Sequence, residues 1–530
     1  MKNKKTKPKT KLNIISDLLG IVIIIFSLYV SRYTILNFIN IILPPSPDFA
    51  KNLTQEQKLE DFEYLYNLVT QSIPMLDDYE EIYGYNFKDR KEMYKELVIN
   101  TKDDLEFYAV MESIVYDVPS FHTDLVSFGS IYSPNCYNSK KVIANRDVIE
   151  YNKKYKTMLS ETGEKYSNLK HTVFSYVDGA YYLDEKLSNS ALFEKYSKVV
   201  EVNGIPTDEF IVSQPICSNL FYDGEKNKPA RNRLVFNDSF GNKVTVKIEN
   251  KDKSIIDTEL FISPLAVNIW HNSDLTLLSI IEDDFYIYDD DKNKISYVRL
   301  DSMHSTNGST VRSKLKQLKY DDVILDLRDN YGGRPSYASE YIFPELFTKS
   351  FEESNFWYMP ITEENETIFE DFFNRIRINP QKEETTPFTS ATSYYKSKVT
   401  YTYEGKAEKD KNIVILTSKS TGSAADRFVS DMKKNDAAII IGNNTGGEGL
   451  MNSYNMVSLP NSKFVCVYML GGAKNPDGSD NSVYGTAPDY YVSQSIDDYY
   501  LEYSTNTSDY NTKIEFDTVL RYAVEFIKNR

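Results

Sequence analysis

The chain has 530 residues, 41% of them hydrophobic and 26% charged, which is enough for two or three globular domains with their own cores. Its formal net charge of −16 argues against nucleic-acid binding, because proteins that bind nucleic acids neutralise phosphates with lysine and arginine. The three cysteines and four histidines show no disulfide framework and no metal-ligand spacing, so the sequence implies no metal and no cofactor.

The N-terminus predicts a membrane anchor. Residues 1–11 carry six lysines and no acid, and residues 12–30 form an apolar stretch whose only charge is Asp17. This stretch is long enough for one membrane span, and the lysines before it predict a cytoplasmic N-terminus. A cleaved signal peptide is the alternative, but no small-x-small cleavage site closes the apolar stretch, so we favour an uncleaved anchor. We therefore expect residues 1–45 to be a cytoplasmic tail and anchor, with the rest of the chain extracytoplasmic.

Residues 46–160 predict a helical domain. An apolar face at helical spacing runs through Leu105, Tyr108, Ala109, Met111 and Val115. Thr101 and Asp104 resemble a capping pattern at the start of this helix, and it should end before 117–119, Asp-Val-Pro.

Residues 165–260 are predicted to be a β-rich module. A short strand over 199–202 is followed by Asn203-Gly204, which is a turn signal, and 238–242 is expected to connect strands 234–236 and 243–248 as a hairpin.

Residues 261–530 alternate between strand-like and helix-like patterns, which predicts an α/β core. The expected elements are strands at 295–300, 323–327, 413–416 and 438–441, and helices at 310–318, 424–433 and 516–528.

Ser423 is the most informative residue of this core. It lies in 412–426, NIVILTSKSTGSAAD, between a predicted buried strand and a predicted helix. A serine at a helix start stands beside free backbone N–H groups that can stabilise an oxyanion. On this segment alone, an ordinary serine helix cap after a strand is the more common alternative.

Three further motifs accompany it in a fixed order. They are VILDLRDNYGG at 323–333, AIIIGNNTGGEG at 438–449 and GTAPD at 485–489. Together with Ser-Ala-Ala-Asp, this set resembles the carboxyl-terminal processing (tail-specific) proteases and the tricorn protease core, whose pattern is Asp-Leu-Arg-x-Asn-x-Gly-Gly, Ser-Ala-Ala-acid, Gly-x-x-Thr-x-Gly and a Pro-Asp turn. The resemblance extends over about residues 54–500.

The resemblance implies a crotonase-like ββα core and a polypeptide substrate held in an extended conformation. The stretch VVEVNGIPTDEF at 199–210 also resembles the PDZ-like modules of these proteases, which add a peptide to a sheet edge. The alternative for this stretch is a generic hairpin with an Asn-Gly turn.

A serine hydroxyl needs a base to become a nucleophile. The processing proteases use a lysine where this chain has Glu448, so a Ser-Lys dyad is not supported. The tricorn-like branch uses a histidine that precedes the core, and 117–124, DVPSFHTD, resembles its Asp-x-His-Thr element with Ser120 in place of Asp. His122 is therefore our candidate base, and His304 is the second candidate.

The acid that orients the histidine has no clean match. The family pattern places it a few residues before Gly485, where this chain has Asn481 and Ser482 with Asp480 adjacent. Either Asp480 or Glu448 could take this role. The resemblance assigns the oxyanion hole to the N–H groups of Ala424 and of Gly332 or Gly333, which complete the site.

Two further residues of the motifs, Asp326 and Arg328, are expected to be structural, together with Asp489. They should hold the turns that carry the glycines.

These observations predict a membrane-anchored extracytoplasmic serine endopeptidase. The alternative is a catalytically impaired relative that binds peptides or small hydrophobic ligands in the same cleft, which the missing lysine and the unclear acid favour. A structural or assembly protein is a third reading, and it would leave the four motifs unexplained. The sequence does not indicate an oligomeric state.

Overall fold

The structure is a computed structural model. It describes residues 52–76, 78–120, 122–126, 146–166, 169–216, 218–263, 285–304, 308–362, 381–383, 388, 393–450, 454–505 and 510–530. The predicted tail and anchor, residues 1–45, lie outside these ranges. Within them, no helix is both long enough and apolar enough to cross a membrane.

The N-terminal part is helical, as predicted. Its elements are α-helices Gln55–Ser72, Tyr79–Tyr83, Lys91–Ile99, Asp104–Val115 and Arg146–Tyr166, a 3₁₀ turn Phe87–Arg90 and a short strand Asp124–Leu125. These helices share one hydrophobic core with residues 450–483 of the C-terminal half, and Phe107 stacks on Phe464 at 5.7 Å between ring centroids. The helical part is therefore built onto the core and does not stand apart from it.

The capping prediction for helix Asp104–Val115 is corrected by the structure. Asp103 is its N-cap, and its carboxylate accepts the N–H groups of Leu105 and Glu106. Thr101 instead donates its hydroxyl to the carbonyl of Val98 at the end of the preceding helix. A carboxylate one residue before the helix satisfies two unpaired N–H groups at once, which explains why Asp103 takes the cap.

The middle of the chain forms a seven-stranded antiparallel sheet. In spatial order its strands are Ala180–Leu183, His171–Val177, Arg233–Asn237, Ile255–Ile262, Asn242–Glu249, Lys198–Val202 and Ile205–Pro206. Ala180–Leu183 also pairs with Lys198–Val202, so the sheet closes on itself. Helix Thr207–Ser213 packs on it, and a hairpin of Leu220–Asp223 with Lys228–Arg231, the 220–231 hairpin, projects from it.

One turn prediction is confirmed here and one is wrong. Asn203 and Gly204 have φ of 54° and 75°, as a tight two-residue turn with both central residues left-handed requires. The predicted hairpin around 238–242 does not form, because Ile255–Ile262 lies between its two strands and pairs with Asn242–Glu249 over eight residues. The longer ladder satisfies more backbone hydrogen bonds than the expected hairpin would.

The C-terminal half is built on a six-stranded sheet, the central sheet. Its spatial order is Phe285–Asp290, Ile295–Leu300, Asp322–Asp326, Asn412–Thr417, Ile439–Gly442 and Tyr490–Tyr491. The first pair is antiparallel and all the others are parallel.

Side chains of the central sheet alternate between its two faces. Leu325 and Ile415 pack with helix Ala424–Lys434 on one face, whereas Ile324 and Val414 pack with helix Thr518–Lys528 on the other. This period of two explains why the parallel strands read as continuous apolar runs in the sequence.

Smaller elements complete the fold. They are strands Phe351–Pro360, Gln381–Glu383, Tyr394–Tyr403, Tyr454–Ser458, Val465–Met469 and Gly472–Ala473, α-helices Gly308–Leu315, Phe343–Leu346, Asn481–Tyr484, Ile496–Thr505 and Tyr510–Lys513, and a π-helix Ala338–Ile342. The mixed α/β class predicted from the sequence is confirmed, and the domain boundaries stay a prediction.

A buried ion network closes the end of the central sheet that leads to Gly332. Arg328 donates to both carboxylate oxygens of Asp517, at 2.8 and 2.6 Å, and to Asp326 at 2.6 Å. Burial would raise the pKa of the Asp326 carboxyl, but the guanidinium of Arg328 outweighs burial and holds that pKa well below its usual value. Asp326 therefore stabilises the fold above the pKa of an unfolded aspartate, and this contribution is lost as the pH falls below it.

We predict that Arg328→Met lowers the free energy of unfolding by about 3 kcal/mol, because two buried carboxylates lose their hydrogen-bonded cation and keep only Lys513, at 3.9 Å from each. Urea denaturation at neutral pH measures this. Lys409→Met is the matched control, since Lys409 is an exposed lysine paired with Asp321, and it should leave the midpoint unchanged. Equal midpoints for the two variants would contradict the assigned role of Arg328.

Candidate active site

Ser423 lies where the chain leaves strand Asn412–Thr417 and enters helix Ala424–Lys434. Its φ of 52° and ψ of −121° belong to a backbone region that side-chain-bearing residues rarely adopt. Hydrogen bonds on both sides hold this conformation, since the Ser423 N–H donates to Gly447 O at 2.9 Å and Gly422 N–H donates to Asn330 O at 3.0 Å. A strained serine that its surroundings hold in place is typical of a functional position.

Backbone N–H groups for an oxyanion are present beside Ser423. Ala424 is the first residue of the helix, and among the described residues its N–H has no hydrogen-bond partner. Gly332 lies against it, because a Cβ at Gly332 would come within 2.8 Å of both Ala424 N and Ser423 Cβ.

Gly332 and Gly333, which follow strand Asp322–Asp326, differ in their hydrogen bonds. Gly332 N–H already donates to Asn330 Oδ1 at 2.9 Å. Gly333 has a φ of 142° and its N–H makes no hydrogen bond to any described residue. Gly333 is thus the better placed of the two as the second donor.

His122 and Glu448 meet across 326 residues of sequence. His122 Nδ1 lies 2.5 Å from Glu448 Oε2, and the Glu448 side chain is fully buried. With Nδ1–H directed at the carboxylate, the neutral imidazole has its lone pair on Nε2, which is the state that a general base requires. The ring of Tyr454 stacks on His122 at 5.4 Å and fixes the plane of the imidazole.

Ser120 secures the other oxygen of Glu448. Its hydroxyl donates to Glu448 Oε1 at 2.7 Å and accepts from Thr123 Oγ1 at 2.9 Å. Glu448 itself has a φ of 59°, so it is a second strained residue at the site. Both carboxylate oxygens are therefore occupied, and the side chain cannot turn away from His122 without losing a buried hydrogen bond.

The loop that carries His122 is held by a buried ion pair. Asp117 accepts from Arg231 of the 220–231 hairpin at 2.5 Å and from Arg90 at 2.7 Å. Tyr94 adds a third hydrogen bond at 2.6 Å. The position of His122 therefore depends on both the helical part and the β-rich module.

The sequence-predicted residues fall into two groups. The structure brings His122 and Glu448 into direct contact, and it brings Ser423 next to them through Gly447, whose carbonyl accepts the Ser423 N–H. No hydrogen bond joins Ser423 Oγ to His122 within the described part of the chain.

Asp480 is not the acid that contacts His122. It caps helix Asn481–Tyr484 by accepting the Ser482 N–H at 2.8 Å, and its other oxygen lies 3.9 Å from Lys474 Nζ. Burial raises the pKa of the Asp480 carboxyl to about 7, although Lys474 acts to lower it. Asp480 is therefore a buried helix cap, although its position in the sequence suggested the acid that orients the histidine.

The second candidate base, His304, is also away from Glu448. It is exposed and contacts Ser302. Of the residues expected to be structural, Asp489 accepts the Ile440 N–H at 2.8 Å and ties the Pro-Asp turn, which does not carry Gly332 or Gly333, to the central sheet.

Asp426 is a site residue whose role the sequence reasoning missed. This buried carboxylate accepts hydrogen bonds from Thr486 at 2.7 Å and Asn481 at 3.1 Å, and also from Gly449 and Thr445. Burial raises the pKa of Asp426, and these hydrogen bonds act against the rise. Asp426 thereby ties the nucleophile helix to the Gly-rich segment that carries Glu448. Its place as the acid of the Ser-Ala-Ala-acid motif was the available signal.

Comparisons with known proteins identify a family for part of the chain. Residues 294–492 match the family described as "Peptidase family S41". No curated protein matches the chain.

Several solved structures resemble the chain at low identity. Mature CPAF is 12% identical with a TM-score of 0.49, over 89% of this chain and 98% of that chain. The photosystem II D1 C-terminal processing protease is 11% identical with a TM-score of 0.34, over 83% and 93%. The tricorn protease is 12% identical with a TM-score of 0.35, over 90% and 37%.

The S41 match covers Ser423, Glu448 and the glycine pair, so the residues of the candidate site lie inside the matched domain, apart from the loop that carries Ser120 and His122. Residues 294–492 therefore form a domain of peptidase family S41, and the serine-type peptidase predicted from the sequence motifs is confirmed.

Proposed function

We propose that the protein is an endopeptidase that cleaves extended polypeptides with Ser423 as nucleophile, His122 as base and Glu448 as the acid that orients the base. The single observation that carries the proposal is the 2.5 Å contact between His122 and the buried Glu448, next to a serine in a strained conformation. Glu448 replaces the lysine of the Ser-Lys enzymes, so activation of the serine falls to the histidine.

The reaction follows from these positions. His122 Nε2 accepts the Ser423 proton while Ser423 Oγ bonds to the peptide carbonyl carbon, and the carbonyl oxygen gains a negative charge. The N–H groups of Ala424 and Gly333 stabilise that oxyanion, and the protonated His122 then donates its proton to the leaving amine. Water, activated by the same histidine, hydrolyses the acyl-enzyme. The buried Glu448 carboxylate stabilises the imidazolium that forms in between.

Substrate binding has to shorten the gap between Ser423 and His122. Hydrogen bonds between catalytic groups are often long in unliganded enzymes and tighten in the substrate complex. The crotonase-like core and the PDZ-like role of the seven-stranded sheet are parts of this proposal. Because the sheet is closed on itself, a peptide bound in the PDZ-like manner would pair with its short end strand Ile205–Pro206.

The first test concerns the nucleophile. Ser423→Ala should abolish cleavage of an unfolded test protein and labelling by a fluorophosphonate, because both need the serine oxygen. Peptide release and labelling are measured beside the melting temperature, which should stay unchanged. Ser313→Ala, at an exposed position of helix Gly308–Leu315, is the matched control and should cleave normally. A Ser423→Ala variant that cleaves like the wild type would refute the assignment, and a wild type that neither cleaves nor labels would favour an impaired, peptide-binding relative.

The second test separates the two acids. Glu448→Gln should lower kcat by about 10²–10⁴-fold, because it removes the charge that stabilises the imidazolium and frees the ring to adopt the wrong tautomer. His122→Ala should lower kcat at least as much, while Asp480→Asn and His304→Ala should have much smaller effects.

The pH dependence of activity is a second measurement of the proposed role of His122. Activity of the wild type should fall on acidification, because a protonated imidazole cannot accept the serine proton. If Asp480→Asn is inactive while Glu448→Gln is active, or if His122→Ala retains most activity, the proposed triad is wrong.

We also propose that residues 1–45 anchor the chain in the cell membrane with its bulk outside the cytoplasm. This rests on the lysine-rich tail and the apolar stretch at 12–30.

A protease added to intact cells should therefore digest the part of the chain beyond the anchor and spare a cytoplasmic marker protein. Lysed cells provide the control in which both are digested. Full protection of the chain in intact cells would exclude this topology.

A further inference from the structure

A cavity of about 130 Å³ lies beside the proposed nucleophile. Three parts of the chain form its wall: the 220–231 hairpin, the loop that carries Ser120, and the loops of the core that carry Tyr331, Lys419 and Gly446. Tyr331 directly precedes Gly332, and Ser120 bonds to Glu448. The cavity therefore opens next to the oxyanion donors and the orienting acid.

Lys419 is the unusual residue of this cavity. It is partly buried four positions before Ser423, and its ammonium makes no hydrogen bond or ion pair with any described residue. Among the described residues, its ammonium lies over the ring of Phe221, with 4.1 Å from Nζ to the ring centroid. Burial, together with the charge of Arg233, lowers the pKa of Lys419 to about 7, and Asp223 acts in the opposite direction. A lysine in this state lacks the anion that would stabilise its charge.

A second polar group of the cavity is also unsatisfied. Asn232 Oδ1 is buried and has no hydrogen-bond partner among the described residues, and no described residue bonds to its Nδ2 either. Oxygen and nitrogen of an amide exchange places by a half-turn of the side chain. Asn232 can therefore present an N–H to the cavity without losing an existing bond.

Resting on the proposed function, we propose that this cavity is a substrate subsite that binds a carboxylate of the polypeptide, with Lys419 as its cation and Asn232 as a second hydrogen-bond donor. The carboxylate is either an aspartate or glutamate side chain near the cleaved bond or the C-terminal carboxylate of the substrate. The net charge of −16 means that the protein as a whole repels such a substrate, so attraction has to come from a local cation. Phe221 and Tyr331 supply the ring surfaces that flank it.

Matched peptides test the proposal. The neutral parent carries glutamine and a C-terminal amide, and single changes place glutamate at each position in turn or restore the free C-terminal carboxylate. The full-length wild type should cleave one carboxylate peptide about 10–100-fold better in kcat/KM than the neutral parent, as expected for a charge-assisted contact. The position of the preferred carboxylate distinguishes a side chain from a chain terminus.

Lys419→Met should bring this ratio close to one while cleavage of the neutral parent stays within about twofold of the wild type. Lys419→Arg keeps the charge and should keep part of the preference. Lys409→Met, at the other end of the same strand, is the matched control and should keep all of it. Asn232→Asp adds a negative charge to the cavity and should lower the ratio independently, which keeps the test open should Lys419→Met fold poorly.

Two failures can be told apart. If the wild type cleaves peptides but shows no carboxylate preference, or if Lys419→Met keeps it, the subsite is wrong and the peptidase proposal stands. If no peptide is cleaved, binding of the same fluorescent peptides to the Ser423→Ala chain decides. A carboxylate preference that Lys419→Met abolishes supports the subsite without the reaction, and its absence overturns the subsite.

Discussion

The contact between His122 and Glu448 is the constraint on which the rest of the site depends. Glu448 is a fully buried carboxylate, and a buried charge is tolerated only when partners satisfy it. Its partners, His122 and Ser120, both come from a loop that lies more than 300 residues earlier. Two hydrogen bonds of this carboxylate come from the N-terminal part of the chain, so the site is complete only when the helical part is docked on the core.

Other buried interactions hold the loop that carries His122, and the helical part, against the core. Asp117 fixes the loop through Arg90 and Arg231, and a shared hydrophobic core joins the helices to residues 450–483. Arg231 comes from the β-rich module, which therefore takes part in positioning His122, the proposed base. Removing one member of such a buried pair leaves an uncompensated charge, so changes far from Ser423 should still alter the geometry of the base.

Strain is concentrated where the chemistry is proposed. Ser423 and Glu448 both have positive φ, and strained backbone of this kind costs on the order of 1–3 kcal/mol per residue. The cost is offset by the well-packed helix behind Ser423, in which Ala425, Phe428 and Val429 are buried against the central sheet. Packing of the helix thus stabilises a backbone conformation of Ser423 that the same residues would not adopt in an isolated peptide.

Many elements of the fold and several residues of the candidate site could be predicted from the sequence, because short stretches of residues encode them. Apolar runs predicted the parallel strands, and Asn203-Gly204 predicted the turn after strand Lys198–Val202. The order of the four motifs indicated Ser423 and the peptidase family. The identity of the acid could not be decided this way, since Asp480 and Glu448 are both plausible by position. Only the tertiary structure shows that Asp480 caps a helix, whereas Glu448 lies 2.5 Å from His122. The same holds for the cavity around Lys419, whose walls come from three distant segments. Local patterns encode backbone conformation, but a contact between distant residues depends on how the elements pack, and no short stretch of sequence carries that information.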